Sequence, residues 1–150
     1  GAPLWNHEIS VATYTPYPSG GTMNSSPGAP SAQSILCLSC HDGTVALDSY
    51  GGATGSTHLT LDSTTYVGTD LRDDHPISIT YDAALAVADG SLFNPITINS
   101  SLGGTIDADL LFGHQVQCAS CHDVHGVTGT TNLLRITNDG SELCLNCHNK

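Results

Sequence analysis

All six cysteines of the chain fall into three copies of one short pattern. They are Cys37-Leu-Ser-Cys40-His41, Cys118-Ala-Ser-Cys121-His122 and Cys144-Leu-Asn-Cys147-His148, with no cysteine left over. C-x-x-C-H is the signature of c-type haem attachment. The spacing has a chemical reason. Two thiols add to the two vinyl groups of one porphyrin, one helical turn spans the two residues between them, and the adjacent His takes an axial position on the iron. Other uses of paired cysteines fit less well. Disulfides also consume an even number of cysteines but do not call for a His after every second one. Zinc ribbons use C-x-x-C pairs, yet three Cys-Cys-His triplets do not divide into tetrahedral four-ligand sites. The expected cofactors are therefore three covalently attached haem c groups. They are anchored at Cys37, Cys40, Cys118, Cys121, Cys144 and Cys147, with His41, His122 and His148 as proximal iron ligands.

Three porphyrins in 150 residues would fill much of the interior, and the composition fits that arrangement. Aromatic residues are 5% of the chain, and Ser, Thr and Gly make up about a third of it. The expected fold is a mostly irregular, haem-cored wrapper, with a few short helices at the C-x-x-C-H sites and minimal short strands. The haems are expected to bind residues 1–150 into a single three-haem domain. The net charge of -11 leaves only Arg72, Arg135 and Lys150 as cations, too few for a basic patch against nucleic acid or anionic lipid. No apolar run reaches the length of a membrane span, and the stretch from Ala83 to Ala88 is far too short. No signal peptide is visible, and a chain that starts with Gly reads as a processed form.

Eight histidines are present, so five remain after the three proximal ligands: His7, His58, His75, His114 and His125. Three would saturate three irons. Saturated irons leave no position for a substrate, which favours electron transfer over catalysis, and no catalytic residue is assigned. Met23 is the only methionine, so at most one His/Met haem is available, and its Ser/Pro-rich surroundings read as loop. His125 lies three residues after His122, and side chains one helical turn apart point the same way, whereas axial ligands approach from opposite faces. As a ligand it would serve a neighbouring haem and require two porphyrins to lie close. The alternative is a surface His capping the turn at Gly126. His75 precedes Pro76, which restricts it to extended geometry, and Asp73 or Asp74 could accept its second ring N–H. The alternative there is a turn residue at the start of a strand. His7 would be tied down by an iron bond at an otherwise loose end. His58 and His114 look less committed.

Local signals are sparse. Residues 19–34 read as loop, with Ser34 as the cap of a helix that carries the first attachment site. Residues 51–57 form another loop. Ile77–Thr80 and Ile96–Asn99 alternate like short strands. Asp82–Asp89 reads as a helix ended by Gly90, and Ser141 with Glu142 opens a helix through the third site. The carboxylates Asp107 and Asp109, or Asp70, Asp73 and Asp74, could bind calcium but more often are solvated or cap helices. Asn24-Ser-Ser26 and Asn99-Ser-Ser101 match the weak glycosylation sequon. The attachment sites are far apart and then close: 77 residues separate Cys40 from Cys118, and 22 separate Cys121 from Cys144.

The segments APLWNHEISVATYTPYPS, LCLSCHDGTVALDSYGG, GTDLRDDHPISITYDAALA, VQCASCHDVHG and LCLNCH resemble multihaem c-type cytochromes with doubled C-x-x-C-H motifs. The resemblance implies that the His before Pro, the second His of C-H-x-x-H and the His of the LWNH string are distal ligands, which here are His75, His125 and His7. Relatives often carry a further C-x-x-C-H before the LWNH string. This chain is then either a three-haem form or one from which a piece has been removed. Some relatives polymerise into extracellular cytochrome filaments, and the third triplet lies at the opposite end of the chain from His7. Ligation of the next subunit by His7 would propagate head to tail without closure. The implied function is electron transfer outside the cytoplasm, extracellular before periplasmic, as a repeating filament subunit. Its partners would be other copies of itself and redox donors and acceptors, proteins or minerals. The alternatives are a soluble periplasmic shuttle, a subunit of a respiratory complex, and a haem reductase with one open iron.

Overall fold

The computed structural model describes residues 6–20, 23–126 and 128–150. Leu4 and Trp5, which lead into His7, lie outside the described residues. The chain groups into two compact units, one built from Gly1–Tyr17 and Gly28–Pro76, the other from Pro18–Pro27 and Ile77–Lys150. Regular structure is scarce in both. As the composition led us to expect, the protein is mostly irregular, with few short helices and a minimal sheet.

The first unit has one helix, α1, Ala32–His41. It starts one turn earlier than expected, because the extended Ser31 occupies the cap position and Ser34 lies inside the helix, fully buried. After His41 the chain leaves the helix through Asp42, whose N–H reaches Leu38 O at 2.8 Å, and through Gly43 at φ +75. Gly43 has no substitute here. A Cβ would approach the Tyr66 ring to 2.6 Å and Leu59 O to 2.9 Å, in a backbone region that L-residues avoid. Loops make up the remainder, stitched by Leu47 N–H to Thr57 O at 2.7 Å and by Thr15 N–H to Thr69 O and Leu71 N–H to Thr15 O, both at 2.9 Å. Among the described residues, its buried apolar side chains are only Leu38, Ala46 and Leu71. Buried Ser10, Ser34, Ser39, Asp42 and Ser49 accompany them.

The second unit is organised around an apolar cluster of Ile79, Tyr81, Ala86, Ile106, Leu110, Leu111, Val116 and Ile136. Met23, outside any helix or named strand, packs against this cluster. Strand β1, Ile79–Thr80, pairs antiparallel with β2, Gln115–Val116, in the register Ile79↔Val116. The strand expected from Ile77 starts later because Ser78 takes φ +55, which breaks the extended run. Helix α2, Ala83–Asp89, follows its sequence signals closely. Asp82 accepts Leu85 N–H at 2.8 Å, and Gly90 at φ +72 closes the helix. The second expected strand, Ile96–Asn99, is a turn. Asn94 accepts the Ile96 N–H on its side chain and the Ile98 N–H on its carbonyl, so the turn chemistry of Asn94-Pro95 overrides the apolar alternation. Helix α3, Ile106–Leu110, is capped by Thr105 and supplies two buried apolar residues, Ile106 and Leu110. Two single-turn helices follow, α4, Cys118–Cys121, and α5, Glu142–Leu145. No helix among the described residues is long and apolar enough to cross a membrane.

Candidate haem-attachment sites

Each C-x-x-C-H triplet sits on or beside a short helix, so one turn separates its two sulfurs. In the first, Cys37, Cys40 and His41 occupy the last turn of α1. In the second, α4 consists of the C-x-x-C turn itself. The Gln117 N–H bonds the Ser120 hydroxyl at 2.9 Å at its start, and His122 leaves it in extended geometry. In the third, α5 carries Cys144, and the N–H groups of Cys147 and His148 return to Cys144 O at 3.1 and 2.9 Å. None of the six cysteines is bridged to another. Among the described residues no three His, Cys, Asp or Glu converge as a ready-made metal-ion site.

Two of the three candidate proximal rings are oriented by main chain. His41 Nδ1 donates to Thr65 O at 2.7 Å, and His122 Nδ1 donates to Asn132 O at 3.1 Å. A carbonyl only accepts, so the ring proton sits on Nδ1 and the lone pair on Nε2, the form in which imidazole binds iron. The second site is held to a neighbouring strap by Arg135 N–H to Cys121 O at 2.8 Å and Asp123 N–H to Leu133 O at 2.6 Å. The third is fastened by Phe93 N–H to Cys147 O at 2.9 Å and Asn149 N–H to Ser91 O at 2.8 Å, with the Tyr81 hydroxyl donating to Phe93 O at 2.7 Å.

Three of the thiols are shifted upward. Burial pushes the Cys40 thiol up, and the Asp42 charge adds to it. Burial also raises Cys121, helped by Cys144 and Cys118, and raises Cys147 to about 12, helped by Cys121 and Cys144. The second and third triplets lie near enough to feel each other's charge, as their short sequence separation suggested.

The remaining histidines fall unevenly. The first unit holds His7, His58 and His75 beside one triplet, and the second holds His114 and His125 beside two. His7 comes to the first attachment site, with Nε2 3.6 Å from Cys40 Sγ and 2.9 Å from Ala46 O. His75 is exposed, and its Nδ1 donates to Pro76 O at 3.0 Å, so backbone takes the place foreseen for Asp73 or Asp74. His125 is exposed in a turn, its N–H bonded to Asp123 Oδ1 at 3.0 Å; the N–H of Gly126 is taken by Asp123 O. His114 sits at φ +61 beside Gly113, also at φ +61, in a tight turn, and its ring pairs with Asp107 Oδ1 at 2.7 Å. His58 has the same ring arrangement as His41 and His122, with Nδ1 on Gly43 O at 3.1 Å. The sequence carried no signal for that, because Gly43 lies 15 residues away in a different loop.

Thiol pairs on one turn, imidazoles with Nδ1 committed to backbone, and no competing disulfide are what covalent haem attachment requires, and these residues fit the group. Residues 113–150, which contain the second and third triplets, match the family model described as the doubled CXXCH motif. No curated protein matches the chain. The match supports a multihaem c-type cytochrome-like protein that binds haem c covalently and serves haem-based electron transfer.

Proposed function

We propose that the protein carries three haem c groups, one at each triplet, and works as an electron-transfer protein and not as an enzyme. Bound haem iron supplies a one-electron couple whose potential is set by axial ligands, burial and nearby charge. The chain's own residues do the rest. Cys37/Cys40, Cys118/Cys121 and Cys144/Cys147 hold the groups, and His41, His122 and His148 ligate from one side. His7, His75 and His125 complete the coordination, which leaves no open position for a substrate. The observation that carries this reading is the shared orientation of the His41 and His122 rings, each fixed by a backbone carbonyl in the iron-binding tautomer. In its finer form, the reading makes the chain a repeating subunit of an extracellular filament, with redox donors and acceptors as its other partners. The resemblance of its segments to filament-forming relatives supports that form. The position of His7 beside Cys40 supports a role for His7 within its own chain.

Mass spectrometry of the protein matured in a haem-attaching host tests the core of the proposal. Three added macrocycles and low-spin spectra at all three irons are expected. His7→Ala, His75→Ala and His125→Ala should each convert one iron to a high-spin or ligand-exchangeable form. A bare polypeptide, or spectra indifferent to all three substitutions, would overturn it. Electron micrographs of the purified protein decide the finer form, since separate particles at every concentration would exclude the filament.

A further inference from the structure

Asp42 is 2% exposed and carries a carboxylate. Four donors surround it. Its Oδ2 accepts the Ser10 hydroxyl at 2.6 Å and the Tyr14 hydroxyl at 2.5 Å, while Oδ1 accepts the Thr44 N–H at 2.7 Å and the Thr44 hydroxyl at 2.8 Å. Two donors occupy each oxygen, so the side chain serves only as an acceptor, the ionised form, in the interior of the first unit. Cationic compensation is scarce there, because Arg72, the one Lys or Arg of that unit, is engaged by Asp70 at 2.5 Å.

The position of this anion in the sequence gives it a use. Asp42 follows His41 directly, at the junction where α1 ends. The same position after His122 is Asp123, half-buried, and after His148 it is Asn149, exposed and uncharged. The three triplets thus carry a graded series in one place: a sealed anion, a partly solvated anion and a neutral amide. Adding one electron to a ferric site removes one unit of positive charge, and a fixed negative charge nearby opposes that. Burial strengthens the opposition by lowering the effective dielectric.

We infer that Asp42 is a positioning residue for redox potential, a fixed interior anion that makes the haem site of Cys37, Cys40 and His41 harder to reduce than the other two. The inference rests on reading that triplet as an attachment site. Ser10, Tyr14 and Thr44 belong to the device, because their donors keep the charge in place and moderate it.

The test is a spectroelectrochemical titration of the fully loaded protein, resolved into one-electron components. The component of the first site is identified by its disappearance in C37A/C40A. D42N keeps the shape and removes the charge. It should raise that component by about tenfold in the reduction equilibrium, which is ~59 mV for a one-electron couple. D123N should move its own component less. Tyr14→Phe keeps the charge and removes one donor, so it should move the first component the opposite way, downward. A merely structural role predicts shifts of one sign for D42N and Tyr14→Phe, since both would loosen the same packing. Should D42N not fold, the direction of the Tyr14→Phe shift still decides. With three macrocycles confirmed by mass, an unmoved component or shifts of equal sign would overturn the inference and leave the attachment reading intact. Peptide mapping that finds no macrocycle on Cys37 and Cys40 would overturn both.

Discussion

The two units solve the problem of an interior in opposite ways. The second has eight buried apolar residues in one cluster, with Phe93, Leu92 and Leu143 packed against it. Among the described residues the first has three, and what its interior otherwise contains is a serine-rich hydrogen-bond network converging on Asp42. Apolar burial contributes in proportion to area, whereas hydrogen bonds contribute about 1 kcal/mol each on balance because water competes for the same groups. The second unit therefore has a core of its own. Under the proposed attachment, the first would rest far more on the porphyrin at its single triplet, and it also holds His7, His58 and His75.

Removing the cofactor from the weaker unit breaks this comparison most severely. In C37A/C40A, amide hydrogen exchange should lose its protection throughout residues 28–76 while the cluster around Ile106 keeps it. Unchanged protection in the first unit would mean that its polar interior suffices unaided. Next in size is a cavity in the stronger unit. Ile106 is 0% exposed, and Ile106→Ala should cost about 2–5 kcal/mol in chemical denaturation. A cost near zero would show that the apolar cluster is not what holds that unit. The smallest effect is a pH dependence at the edge of the first unit. Thr57 and Ser56 N–H groups donate to Asp48 Oδ1 at 2.8 and 2.9 Å and hold its carboxyl below the usual range. The folded pKa then lies under the unfolded one, so the loop gains from this contact above the ordinary carboxylate pKa and loses it as the pH falls through the folded value. Exchange protection at Ser56 and Thr57, corrected for intrinsic rates, should fall in that acid window, and Asp48→Asn should flatten the profile.

The attachment sites were legible because covalent chemistry dictates residue type and spacing at short range. Helix α2 was legible for a similar reason, since Asp82 and Gly90 mark its ends locally. What could not be read lies at long range. The donors to Asp42 stand 32 and 28 residues away at Ser10 and Tyr14, and nothing local in the EISVATY segment announces a buried carboxylate partner. Strand β1 was misjudged at its start because its pairing with Gln115–Val116 and the left-handed Ser78 are decided by the tertiary structure. The run at Ile96 was misjudged because alternation was weighed above the adjacent Asn94-Pro95 turn. Pairing of distal histidines with irons belongs to the same long-range class.

The rings of His41, His122, His75 and His58 all lean on peptide oxygens, those of Thr65, Asn132, Pro76 and Gly43. A peptide oxygen is common to every amino acid. Replacing the side chain at Thr65 or Asn132 leaves the acceptor where it was, provided the loop keeps its path. The imidazoles are thus insulated from sequence drift around them, and surface loops can diversify while the rings keep their orientation.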